Sequence, residues 1–168
     1  FKNGLEMKWS KLLTNLTTNA SCAILKMTPS EIMKNPSLFK IEIGQLREVL
    51  SVMKSQKLRV VNLPGTPVRL FSLVVARFPI WLSRIILNQF ISKGRGNKMP
   101  SFYLDLQSGR RKSEVDYLNG AVVRFGNQQG VSTPINYILN HTLIKMTNGE
   151  IDPVKYDHQP ERYCKLFS

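Results

Sequence analysis

The sequence predicts an all-α fold, a single helical domain of about seven or eight helices, and three observations carry that expectation. Helix start signals recur: Thr28-Pro29, Thr66-Pro67 and Thr133-Pro134 each set a capping side chain before a proline suited to the first helical turn. Apolar residues repeat at helical spacing, while alternating strand patterns are scarce. At 168 residues, 42% hydrophobic and 21% charged, the chain has ordinary globular composition and enough length to bury a core. Disordered and collagen-like classes are excluded on the same grounds.

In chain order, the first helix is expected over residues 5–26, where Leu12, Leu13, Leu16, Ala20 and Ala23 supply the apolar positions. A short helix near 29–34 follows from Thr28-Pro29-Ser30-Glu31, an N-cap, a proline at the first position and a glutamate placed for a capping box. A long helix near 37–57 comes next, then two around 67–78 and 80–92, with Val60 and Val61 in a connector that has room to be briefly extended. Further helices are expected over 101–108, 113–129 and 134–147. For the helix over 113–129, Ser113 and Asp116 suit its start, Val115, Leu118, Val122 and Phe125 mark an apolar face, and Gly130 suits its stop. Residues 149–168, rich in proline, aspartate and charge, read as a loosely held tail, which leaves the helical domain over 1–148.

Composition narrows function only coarsely. Cys22 and Cys164 lie far apart and outside any C-x-x-C spacing, so neither a disulfide framework nor a zinc signature is present and a cytoplasmic setting is the default expectation. The apolar run from Val68 to Ile91 is interrupted by Arg77, Pro79 and Arg84, short of the ~20 apolar residues of a membrane crossing, and reads as a pair of core helices. The N-x-[ST] triplets at Asn15, Asn19 and Asn140 are short enough to arise by chance. The chain opens at Phe1 without an initiator methionine, and is expected to be a piece of a longer polypeptide or a processed form. Net charge is +13, and no Asp or Glu occurs from Val49 to Leu104, where nine Lys and Arg residues fall. Such a face attracts anions, whether nucleic acid, phosphorylated cofactors or carboxylates, or is simply a solvated basic surface.

Two polar clusters stand out from the helical background. In "KWSKLLTNLTTNA", Lys11, Asn15 and Asn19 recur every four residues, which on a continuous helix makes a polar stripe down one face. In "SFYLDLQSGRRKSEVDYLNG", Ser101 and Asp105 share a helical face, a basic turn follows, and Glu114 opens the next helix, where any acid gains from the helix dipole. The loop "KGRGNKMPS" carries Gly94 and Gly96, but Met99 stands where a dinucleotide fingerprint needs its third glycine. His141 and His158 lack metal-ligand or triad company.

Taken in order, "WSKLLTNLTTNA" and "PSFYLDLQSGRRKSEVDYLNGAVVRFGNQQGVSTPINYIL" resemble the C-terminal domain of the ketopantoate reductase (2-dehydropantoate 2-reductase) family over about residues 5–147. The resemblance implies an all-helical domain that closes the substrate cleft of an N-terminal NADPH-binding Rossmann domain, which this chain does not contain. It implies reduction of a 2-oxo acid, ketopantoate above all, to the 2-hydroxy acid on the way to pantothenate. Lys11 matches the family lysine and would act as general acid; Asn15 and Asn19 match its asparagines, and Ser101 its serine, as substrate-binding groups. Glu114 matches the glutamate that meets substrate or the nicotinamide ribose. The turn "GRRKSE" is one residue longer than the compact family form, and Lys98, with Asn97 beside it, falls where the family has a substrate-contacting asparagine. The fragment alone should not turn over without the cofactor platform. Against this reading stand a basic helical module that binds anions or nucleic acid, for which the stripe, Ser101 and Glu114 are not required, and a dimerisation module without catalysis, with a homodimer formed through the apolar region from Leu70 to Ile91.

Overall fold

The computed structural model describes residues 2–94, 99–107 and 115–167. Asn97, Lys98, Ser113 and Glu114, singled out above, lie outside the described residues. Ten α-helices are present among the described residues: α1 (Lys2–Leu16), α2 (Asn19–Leu25), α3 (Pro29–Lys34), α4 (Pro36–Ser55), α5 (Val68–Arg77), α6 (Ile80–Gly94), α7 (Ser101–Gln107), α8 (Val115–Gln128), α9 (Pro134–Thr147) and α10 (Pro160–Cys164). Two short 3₁₀ turns, Pro153–Tyr156 and Lys165–Phe167, flank α10. No strand occurs among the described residues; Leu63 and Thr66 form one isolated bridge, and the Val60–Val61 connector is tied to α1 instead. There the Arg59 and Val61 amides donate to Glu6 and to the Ser10 hydroxyl. None of the described helices is long and apolar enough to cross a membrane.

The first expected helix is two. Thr17 and Thr18 break it, with Thr18 in the left-handed region at φ 59°. A β-branched residue reaches that conformation only when its surroundings insist. Here the insistence comes from α4: the Thr18 amide donates to Glu42 at 2.8 Å, and the Gln45 side chain donates to the freed Leu16 carbonyl at 3.2 Å. The break moves the chain from one core to another. Before it, Trp9, Leu13 and Leu16 pack with Phe39, Leu46, Val75 and Leu87; after it, Ala20, Ile24 and Leu25 pack with Phe102, Leu139, Leu143 and Tyr163. The central helix α4 serves both clusters, through Phe39 and Ile43 on one side and Leu38 and Ile41 on the other.

Capping follows the sequence at α3, where the reciprocal Thr28–Glu31 box forms; at α4 the cap is Asn35, not among the expected start signals, which accepts from the Ser37 and Leu38 amides. Gly130 lies at φ +65° just past α8, as a left-handed stop requires. Thr-Pro pairs do not always cap. Thr133 makes no side-chain cap at α9, and Glu48 of α4 accepts from the Ile135 and Asn136 amides in its place.

The segment from 149 onward is not a loose tail. Tyr156 and Tyr163 are buried in the second cluster, the His158 amide donates to the Leu25 carbonyl, and Lys26 pairs with Asp157 at 2.8 Å. Proline and charge were concentrated at its bends and outer side, and three aromatic residues carry the packing: Tyr156, Tyr163 and Phe167. This segment and the split first helix account for the two helices beyond the eight expected.

Candidate active-site cleft

Lys11 and Asn15 stand one turn apart on α1 and open onto one cleft of about 390 Å³. Its α1 wall also carries Leu5, Lys8, Trp9 and Leu12, and its α8 wall carries Tyr117, Leu118, Ala121 and Phe125. Trp9, buried, meets Phe125 edge to face with ring centroids 5.4 Å apart, which closes the apolar floor. Lys8 and Lys11 are exposed at the rim. A cleft with an apolar floor, two ammonium groups and an amide, and no acid among the described residues that line it, suits a small anion with an aliphatic body.

Asn19 is used differently from the stripe expectation. Past the break it begins α2, is 4% exposed, and spans to α7, accepting from the Phe102 amide at 3.2 Å and donating to the Ser101 hydroxyl at a long 3.5 Å. Asn19 therefore caps the start of α7 and fixes Ser101, whose residue remains exposed. The structure thus brings Lys11 and Asn15 together in the cleft and joins Asn19 to Ser101; this second pair is not part of the cleft lining. A helix running unbroken through residue 19 would have put all three polar side chains in one row. Glu114 lies outside the described residues, and α8, the far wall, begins at the following residue.

Behind this wall runs a polar row, buried at Glu42 and Gln45 and half-buried at Glu48, that sequence reasoning missed. Glu42, Gln45 and Glu48 recur every three residues on α4, a spacing that could have signalled a polar seam along one side of the helix. Glu42 accepts from the Thr18 amide, from Gln45 at 2.6 Å and from the Ser21 hydroxyl, which is in turn 2.6 Å from the Tyr163 hydroxyl. Gln45 accepts from Asn119 of α8, Asn119 donates to Asn136 of α9, and Asn136 donates to Glu48 at 2.7 Å. Burial pushes the Glu42 carboxyl up to about 7 against the pull of its Ser21, Thr18 and Gln45 donors. Burial also raises Glu48, opposed by its bonds from Asn136 and Ile135.

Comparison with known proteins agrees with this architecture. Residues 3–147 match the family described as "Ketopantoate reductase PanE/ApbA C terminal". A 2-dehydropantoate 2-reductase of Pyrobaculum aerophilum is 29% identical over 132 residues, covering 79% of this chain and 40% of the relative. Among solved structures, a PanE/ApbA family ketopantoate reductase from Ralstonia eutropha superposes with a TM-score of 0.65 at 20% identity, over 84% of this chain and 41% of that one. A D-mandelate dehydrogenase solved in complex with NADH superposes with a TM-score of 0.65 at 26% identity, over 86% of this chain and 43% of that one. The chain spans about two-fifths of the length of the curated relatives it matches. The match runs from α1 through α9, across both walls of the cleft, and the chain belongs to the ketopantoate reductase C-terminal domain family.

Proposed function

We propose that this chain is the substrate-binding and catalytic domain of an NADPH-dependent 2-oxo acid reductase, with ketopantoate as its substrate and Lys11 as its general acid. The observation that carries the reading is the shared opening of Lys11 and Asn15 onto one cleft against α8. In this reading an N-terminal Rossmann domain of the full-length polypeptide would hold NADPH, which would supply the hydride.

The work of this chain's own residues follows from their chemistry. As the 2-oxo carbon is reduced, negative charge grows on its oxygen; the Lys11 ammonium stabilises that charge and then donates its proton. Asn15, one turn along α1, hydrogen-bonds the substrate and holds it against the lysine, while Lys8 adds positive charge at the rim that draws the anion in. Asn19 sets Ser101 at the start of α7, from where the serine meets the carboxylate end. Glu114, at the threshold of α8, takes a substrate hydroxyl or the nicotinamide ribose.

The test is Lys11→Ala in the full-length polypeptide, assayed by NADPH oxidation with ketopantoate. Lys11 is exposed, so folding should be untouched; kcat should fall by about 10²-fold or more, the range of a lost general acid. Near-normal turnover would remove Lys11 from the chemistry, and no turnover by the parent enzyme with any 2-oxo acid would remove the reading itself.

A further inference from the structure

We propose that Glu42 is a positioning residue of the active site: its buried carboxylate holds the left-handed turn at Thr18, and through that turn it sets Asn19 against Ser101 and Phe102. The inference rests on the functional reading above and names a residue of α4 that touches none of the groups proposed to meet substrate.

The geometry is specific. Asn19 has a Glu42 contact on each side of it in sequence, the Thr18 amide at 2.8 Å and the Ser21 hydroxyl. Both contacts end on one carboxylate, so they fix the first turn of α2 from within the core. Asn19, held between them, delivers its amide to Ser101 and the Phe102 amide. A left-handed threonine has little preference of its own for that conformation, and its hydroxyl oxygen is buried without a partner, so the backbone bond to Glu42 is what the turn depends on. Gln45 links the same carboxylate to the last carbonyl of α1 and to Asn119 of α8, so one side chain refers both cleft walls to α4.

Charge matters because of how the donors are counted. Ionised, Glu42 accepts from Thr18, Ser21 and Gln45 at once, with the Tyr163 hydroxyl free to donate to Ser21. Protonated, it must donate to Ser21; the Ser21 proton then turns to Tyr163, whose own proton loses its partner, and a neutral oxygen is left to hold the Thr18 amide. No cation is among the groups acting on Glu42 in the described residues. The titratable group coupled to it is Tyr163 of α10, on which Cys22 of α2 and Cys164 of α10 act in turn. Since the carboxyl sits near 7, the two states exchange around neutral pH.

Glu42→Gln keeps the shape and imposes the neutral state. In the full-length enzyme, its KM for ketopantoate should exceed the wild-type value about fivefold at pH 8, where a charged acceptor has been replaced by a neutral one. At pH 6, where wild-type Glu42 is itself protonated, the two values should converge. An offset of equal size at both pH values would mark a merely structural side chain and overturn the proposal, as would a wild-type KM at pH 8. A second readout needs no turnover: the side-chain amide signal of Asn19 in ¹⁵N-asparagine-labelled enzyme should titrate with a midpoint near 7 in the wild type and stay flat in Glu42→Gln. If no 2-oxo acid is reduced by the wild type, the functional reading fails while this signal still decides the role of Glu42; an Asn19 signal indifferent to pH, or titrating equally in both proteins, sinks it.

Discussion

Glu42 carries a stability consequence separate from its effect on substrate. Its carboxyl sits near 7 in the folded chain against an ordinary 4.5, so the native state binds the proton more tightly than the unfolded state. A raised group of this kind contributes stability that is fully present below about 4.5 and is lost as pH rises through about 7. Glu42→Gln removes that dependence. Urea unfolding of both proteins should therefore show the wild type losing ground to the variant by up to ~3 kcal/mol between pH 4.5 and 8, at ~1.4 kcal/mol per pKa unit. A difference that holds constant across that range, or grows in the opposite direction, would contradict the buried, unpaired carboxylate. At this scale the sequence was half legible. That Lys11 and Asn15 line one cleft was legible from their spacing, because both sit on one uninterrupted turn of α1. Asn19 shared the spacing but not the geometry, because the backbone between it and Asn15 obeys a carboxylate 24 residues from Thr18 in the chain. No local pattern reports a contact of that range.

Helices were legible where their ends are closed by their own neighbours in sequence. The Thr28–Glu31 box and the Asn35 cap are local chemistry, and α3 and α4 begin at Pro29 and Pro36, each directly after its cap. The start of α9 is the contrary case. Thr133-Pro134 has the residues of a cap, yet its amides are closed by Glu48, which accepts from Ile135, from the Asn136 amide and from the Asn136 side chain at 2.7–2.9 Å. A carboxylate from another helix does two jobs here, capping α9 and fastening it to α4. Glu48→Ala leaves three donors without their acceptor, two of them at a helix N-terminus where negative charge is favoured. The cost should be about 2–4 kcal/mol by chemical denaturation, larger than the ~1 kcal/mol typical of a lost side-chain cap such as Thr28→Ala. Equal losses in the two variants would mean that water reaches the α9 terminus and that Glu48 is a surface cap like any other.

Across the whole molecule, the family match stops at residue 147 but the fold does not. The segment beyond it closes the second core: Tyr163 has no exposed surface, Tyr156 is nearly as buried, and Ile24, Leu25 and Leu139 lie in the same cluster. The same segment reaches the polar network, since the Tyr163 hydroxyl meets Ser21 and thereby Glu42. Composition hid this, because proline and charge describe the bends and outer face of a wrapped segment as well as they describe a free tail. Removing one buried aromatic side chain costs about 3–5 kcal/mol, a large share of the ~5–15 kcal/mol that holds a domain together. Removing residues 149–168 takes two buried tyrosines, the Lys26–Asp157 pair and the bond from His158 to the Leu25 carbonyl. The full-length enzyme truncated after Asn148 should therefore lose the cooperative melt of its helical domain, while Tyr163→Phe, which keeps the ring and gives up only the hydroxyl, should lose about 1 kcal/mol. A truncated protein that melts within a few degrees of the parent would show that α1 to α9 are self-sufficient, and that the C-terminal wrap only covers a core already closed without it.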